Sequence, residues 1–225
     1  MRVYPLDSKL YDNIRSKLRK IDKQLPQTVI ADKATSKPID SIIVLGDGGE
    51  DYVVVSLICY HLNGNKTTAI NKPKNTRYGA IQTLKTNINI KNYKTIAFIL
   101  DQEREELSEL SKNIISKLKE IGVKCEEMEK SVRNRLIRYE CFLGDHKFRF
   151  VVVINGLDDV GSPSHMIEDH LVRLAGVTVQ GDSKDAWNGL SGEKRLEVFR
   201  RILDDRNVAE EVFNQHFAGL RLLDC

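Results

Sequence analysis

Two apolar runs in this 225-residue chain end in acidic residues. Ser41-Ile42-Ile43-Val44-Leu45 leads into Gly46-Asp47-Gly48-Gly49-Glu50-Asp51, and Thr95-Ile96-Ala97-Phe98-Ile99-Leu100 leads into Asp101-Gln102-Glu103. Short, wholly apolar runs become strands buried on both faces of an α/β sheet, and in such sheets function gathers at the carboxyl ends of the strands. The glycines around Asp47 suit a loop that cradles phosphate on backbone N–H groups. Three neighbouring carboxylates, Asp47, Glu50 and Asp51, would repel an anion placed there directly. A divalent cation between them removes the conflict, because hard cations such as Mg²⁺ take carboxylate oxygens. If the second strand persists far enough, alternation puts Asp101 and Glu103 on one side, where they can share an ion. The competing account is that acids in a first helical turn offset the helix dipole, at about 0.3–1 kcal/mol each. It covers Glu105 and Glu106 fully and Asp101 partly, but leaves Asp47 unexplained.

A third apolar run, Phe150 to Ile154, precedes Asp158 and Asp159, which strand-end geometry offers as supporting or additional ligands. The acids Glu168 and Asp169 read as exposed residues of a following helix. His165 and His170 are five apart, which does not match the four-residue spacing of two ligands on one helix face, so no zinc site is expected.

The net charge of +3 is too small to diagnose a nucleic-acid binder, but its distribution is uneven. From Tyr52 to Leu100 there is no Asp or Glu, while Lys66, Lys72, Lys74, Arg77, Lys85, Lys91 and Lys94 all fall there. Taken singly, these lysines read as solvated surface. Together, Lys72, Lys74 and Arg77 beside Tyr78 could meet phosphate and stack a base. Arg133 and Arg135, with Arg138 close by, form a second cluster of the same kind. Trp187 reads as a packing anchor. Cys59, Cys125, Cys141 and Cys225 are scattered without a CxxC pair, which argues against a zinc knuckle or a dense disulfide framework. The first six residues lack the apolar stretch of a signal peptide, and no later run nears the ~20 residues of a membrane span. A cytoplasmic protein without a membrane partner is the expectation.

The remaining elements must hold these residues in place. Leu10, Ile14, Leu18, Ile21 and Leu25 recur at helical spacing after Asp7, a natural N-cap. This amphipathic helix could pack on its own chain, on a second copy in a homo-oligomer, or on a partner, its own chain coming first. The polar stretch 32–38 reads as a linker. Helices are expected over Glu50 to Leu62, near Tyr78 to Leu84 and over Glu103 to Ile121, with a weaker strand at Thr67 to Ile70. Arg138 to Leu143 and Lys147 to Ile154 face each other across Gly144-Asp145 as an antiparallel hairpin. Helical patterns follow at Ser164 to Ala175, Glu193 to Leu203 and Val208 to Phe217. The fold class is therefore α/β, a mostly parallel Rossmann-like sheet with an antiparallel hairpin extension, an N-terminal amphipathic helix and C-terminal helices.

The stretches IIVLGDGGEDYVVVSLI and IAFILDQERE resemble the two opening motifs of toprim domains: an apolar strand ending in an acid followed by glycine, then an apolar strand ending in two acids one residue apart. With the later VVVINGLDDVGSPSHMIEDHL, the order resembles an uncharacterised toprim-like family of archaea and bacteria, over residues 40–175. The resemblance implies a toprim-like core at 39–157, preceded by helix and linker at 1–38 and followed by a helical part at 158–225. It matches the family's glutamate to Asp47, its first aspartate to Asp101 and its second to Glu103, each as a ligand for Mg²⁺ or Mn²⁺ and a catalytic group. Asp47 is one methylene shorter than the family residue and Glu103 one longer. The function implied is Mg²⁺-dependent action on nucleic acid or another phosphate ester, of nuclease or phosphotransfer type. The alternative is a non-catalytic nucleic-acid- or nucleotide-binding module on a degenerate toprim scaffold.

Overall fold

The computed structural model describes residues 1–31, 39–47, 49–62, 66–131 and 135–223. Among them, one sheet contains β1 (Arg2–Pro5), β2 (Ser41–Leu45), β3 (Thr67–Asn71), β4 (Thr95–Asp101), β5 (Lys124–Ser131), β6 (Leu136–Leu143) and β7 (His146–Asn155), in the order β1-β3-β2-β4-β7-β6-β5. Neighbours from β1 to β7 run parallel, and β6 and β5 extend the sheet antiparallel. The helices are α1 (Ser8–Ile21), α2 (Leu25–Val29), α3 (Asp51–His61), α4 (Tyr78–Ile81), α5 (Leu84–Lys91), α6 (Leu107–Glu120), α7 (Ile167–Leu174), α8 (Ser183–Gly189), α9 (Gly192–Asp204) and α10 (Arg206–Val212). A π-helical turn, Phe213–Phe217, and a 3₁₀ stretch, Ala218–Leu223, follow α10. The molecule is thus an α/β protein with a mostly parallel sheet, an antiparallel extension and helices at both ends of the chain.

Two cores form because successive strand side chains point to opposite faces. Ile43, Leu45, Ala97, Ile99, Val151 and Val153 pack with buried residues of α1, α3, α7, α9 and α10. Ile42, Val44, Ile96, Phe98, Phe150 and Val152 pack with α4, α5 and α6. The stripe Leu10, Ile14, Leu18 and Ile21 of α1 is buried in the first core, and Asp7 caps the helix by accepting from the Leu10 N–H at 2.8 Å. The N-terminal helix therefore packs on its own chain.

Some elements carry no readable pattern. Strand β5, KCEEMEKS, is charged and exposed on both faces, so it lacks the apolar alternation of a half-buried strand; a bulge between Glu127 and Glu129 breaks its register further. Strand β1 is only four residues long, and α8 is mostly polar. Cys125 and Cys141 stand opposite each other on β5 and β6 and form a disulfide, a pairing their 16-residue separation does not announce. Cys59 is buried in α3, and Cys225 lies outside the described residues. Among the described residues, no helix is long and apolar enough to cross a membrane.

Candidate functional site

Strand β2 leads into α3 on the first core's face, whereas its neighbour β4 leads into α6 on the other. The crevice above β2 and β4 is therefore a topological switch point, where open α/β sheets bind ligands. Asp47 and Asp101 both stand there, and the Asp101 N–H donates to Asp47 Oδ2 at 2.9 Å. Gly46 makes the close exit from β2: its N–H donates to the Ile99 carbonyl at 2.6 Å, and a Cβ would lie 2.9 Å from the Phe98 ring. Asp51 opens α3, and its Oδ1 accepts from Asn155 Nδ2, at the end of β7, at 2.7 Å. Asp101 Oδ1 accepts from the Ile167 N–H at the start of α7 at 3.3 Å. Glu168, the next residue of that helix, completes the group, and a Cβ on Gly49 would lie 2.5 Å from its Oε1.

Asp51, Asp101 and Glu168 are buried, at 2%, 8% and 3% exposure. Removal from water, then mutual repulsion, raises their proton affinity. Asp51 is pushed up to about 6 by burial and by Asp47, and Glu168 to about 7 by burial and by Asp51. Asp101 is raised well above the usual carboxylate range by burial, then by Asp51, Asp47 and Glu168. Asp47 is also raised, chiefly by burial, against the backbone hydrogen bond from Asp101 and the charge of Arg77. Asp51 Oδ2 and the neighbouring Glu50 Oε2 are buried without a hydrogen-bond partner.

A carboxyl whose folded pKa is raised stabilises the fold fully below its unfolded value, and that stability is lost as pH rises through the folded value. For Glu168 the window runs from 4.5 to about 7. Buried His170 and His216, whose proton affinity is lowered mainly by burial, act in the opposite sense as pH falls below 6.5. The clean readout is the difference between wild type and Glu168→Gln in metal-free buffer. We expect the variant to gain about 3 kcal/mol relative to wild type between pH 4.5 and 8 in denaturant titrations. A pH-independent difference would contradict the assigned repulsion.

Three cations border the acids. Lys72 and Lys184 act electrostatically on Asp51 and on Glu168 respectively, and both Arg77 and Lys184 act on Asp47. Arg77 is held by its backbone: φ is +49°, and its N–H donates to the Gly46 carbonyl at 2.5 Å. Its guanidinium pairs with Glu103 at 2.6 Å and Glu105 at 2.8 Å and lies over the Tyr78 ring, whose hydroxyl bonds Glu105.

Several expected site residues fall elsewhere. Glu103 is not in the buried group: β4 stops at Asp101, Glu103 takes φ +55°, and its half-exposed carboxylate pairs with Arg77. Asp158 is 84% exposed at its side chain and pairs with Arg135, so it is not one of the buried acids. Arg135 is buried between Gln102 and Asp158, so it offers no surface to a polyanion. Arg133 lies outside the described residues. Lys74 is exposed on its loop, and Lys72 lies 5.4 Å from the Tyr52 ring centre. Trp187 is buried as an anchor, edge-on to Phe199, and its Nε1 also donates to Glu50 Oε1 at 3.4 Å.

Glu168 and Asp169 correct the expectation of exposed helix acids, since both are buried, as is His170 beside them. Asp169 Oδ2 accepts from the Leu157 and Met166 N–H groups at 3.0 and 3.2 Å, which ties the helix start to the loop after β7. A signal was present: Glu168 shares a helical face with Leu171 and Val172, both apolar.

The donor set is all oxygen and rich in carboxylate, which suits Mg²⁺ or Mn²⁺, and the orphaned oxygens of Asp51 and Glu50 are what a cation would satisfy. As the side chains stand, among the described residues no three His, Cys, Asp or Glu converge on one ion position. The fit is thus one of donor chemistry. Compared with protein-family models, with curated proteins and with solved structures, the chain matches none.

Proposed function

We propose that this is a toprim-like, Mg²⁺- or Mn²⁺-dependent cytoplasmic protein that acts on a phosphate ester, nucleic acid being the first candidate. The observation that carries the reading is four carboxylates of raised proton affinity at the switch point, bordered by Lys72, Arg77 and Lys184. Buried acids alone would suit a structural role, but a cation-lined rim beside them suits an anion. Asp47, Asp51 and Asp101 would hold the ion, which when bound stabilises charge on the phosphate and orients water. Arg77 would receive a phosphate oxygen by exchanging its ion pair with Glu103, whose half-exposed carboxylate returns readily to water. Glu168, at about 7, is matched to giving or taking a proton at neutral pH.

The test is turnover of bis(p-nitrophenyl) phosphate and of labelled single- and double-stranded oligonucleotides with Mg²⁺ or Mn²⁺. Arg77→Ala should lower kcat/KM by about 10²–10³-fold, as expected for losing one preorganised donor, and Asp101→Asn should abolish turnover. Salt-sensitive binding without turnover, retained in Asp101→Asn, would favour the non-catalytic module instead. Neither binding nor turnover with either metal would contradict both.

A further inference from the structure

At the other end of the sheet, strands β4, β7, β6 and β5 carry a second charged feature. A groove of about 550 Å³ has Lys94, Met128, Arg138, Glu140, Lys147 and Arg149 in its lining, four cations and one acid, with Glu126 and Glu129 of β5 opposite Glu140 and Arg138 at its border. It lies at the amino end of β4 and the first turn of β7, away from the carboxylates, since Lys94 precedes β4 and Arg149 pairs with Thr95. The row is set by register: Glu140 faces Arg149 and Phe142 faces Lys147 on β6 and β7. Among the described residues neither Lys94 nor Arg149 has a carboxylate within ion-pair distance; Arg149 donates to the Leu222 carbonyl at 3.3 Å. Lys147 and Arg138 have partners, Glu140 at 2.8 Å and Glu129 at 3.5 Å, but these pairs are largely open to solvent. Exposed pairs of this kind are worth about 0–1 kcal/mol, so a phosphate can replace the carboxylate.

The same surface exposes apolar groups that ordinary sheet packing would cover. Met128, in the lining, is 54% exposed at the β5 bulge, and Phe142, beside the groove on the same face of β6 as Arg138 and Glu140, is 37% exposed, with Lys147 Nζ 5.7 Å from its ring centre. Cations beside an open ring match a ligand that alternates anionic backbone with flat π-faces. An acidic peptide would use the cations and leave the ring unexplained. From β4 to β5 the row crosses three strand spacings of about 4.8 Å. That is about 14 Å, less than half of a duplex turn of about 34 Å, and it suits a short single-stranded segment.

We propose that this groove binds single-stranded nucleic acid, phosphates on Lys94, Arg138, Lys147 and Arg149 and bases against Phe142 and Met128. The site is separate from the carboxylates and stands or falls without them.

Fluorescence anisotropy of a labelled 12-nucleotide oligopyrimidine, titrated at several salt concentrations, tests it. Four phosphate contacts give a log–log salt slope of roughly −3, at about −0.7 per contact on a single strand. Lys94 and Lys147 are exposed, so Lys94→Ala with Lys147→Ala should keep the fold by circular dichroism. That double variant should bind at least tenfold more weakly, with a slope of roughly −1.4. Phe142→Ala should weaken binding while leaving the slope unchanged. Unaltered binding in the double variant, transfer of the loss to Lys72→Ala with Lys74→Ala, or equal competition by polyglutamate would each overturn the assignment.

Discussion

Asp51→Asn should make the metal-free protein more stable and weaken its binding of Mg²⁺. At pH 8 Asp51 is ionised, fully buried and repelled by Asp47, with its proton affinity raised to about 6 from 3.8. Removing the charge recovers about 2–3 kcal/mol by that shift. The amide keeps what the carboxylate does for the fold, because its oxygen can still accept from Asn155 Nδ2. Its NH₂ group, in place of the orphaned Oδ2, can donate to a neighbouring carboxylate. Mg²⁺ affinity should fall by more than about 100-fold, beyond the 10–100-fold that even supporting residues of a metal site command. Denaturant titration with and without 10 mM MgCl₂ reads both effects. Opposite signs are the signature of a site whose strain serves binding rather than folding. A variant that is less stable in metal-free buffer would mean that Asp51 is a structural acid.

Gly156→Ala should have the largest cost to folding. Gly156 sits at φ +133°, a region closed to residues with a Cβ, and that Cβ would lie 2.5 Å from His165 Cβ and 2.9 Å from the His165 carbonyl carbon. Backbone strain of about 1–3 kcal/mol and overpacking of about 1–3 kcal/mol act together here. The expected loss is about 3–5 kcal/mol in urea titration. The effect should reach the site, because His165 exchanges backbone hydrogen bonds with Glu103 at 2.8 and 2.9 Å, and Glu103 holds Arg77. Gly144→Ala is the control: its φ is +59°, but no atom stands within 4 Å of the added carbon, so it should cost only about 1–2 kcal/mol. Equal losses in the two variants would refute the close-contact account.

What the sequence discloses depends on how locally each feature is determined. Strands β2, β4 and the Phe150–Ile154 part of β7 are legible because burial on both faces leaves these runs apolar, and the ends of β2 and β4 mark where Asp47 and Asp101 must emerge. Their contact through the Asp101 N–H follows from β2 and β4 being neighbours. Glu103 departs from its expected place because alternation holds only while a strand lasts, and the chain turns left-handed two residues after Asp101. Glu168 departs for the opposite reason: charge alone suggests solvent, whereas packing of Ile167, Leu171 and Val172 carries the carboxylate into the interior. By sequence, Arg135 and Asp158 read as a polyanion contact and a metal ligand. They pair with each other across 23 residues, a long-range pairing that no local pattern records.

The most direct test of the carboxylate site is calorimetric titration of Mg²⁺ at pH 6.5 in two buffers of different ionisation enthalpy. Ions that displace protons from Asp51, Asp101 and Glu168 should release protons on binding, and the release should shrink as pH rises through the ranges of Asp51 (about 6) and Glu168 (about 7). Asp51→Asn should weaken the binding and reduce the release. No saturable heat in either buffer, or proton-neutral binding that Asp51→Asn leaves intact, would contradict a cation site at the β2–β4 crevice.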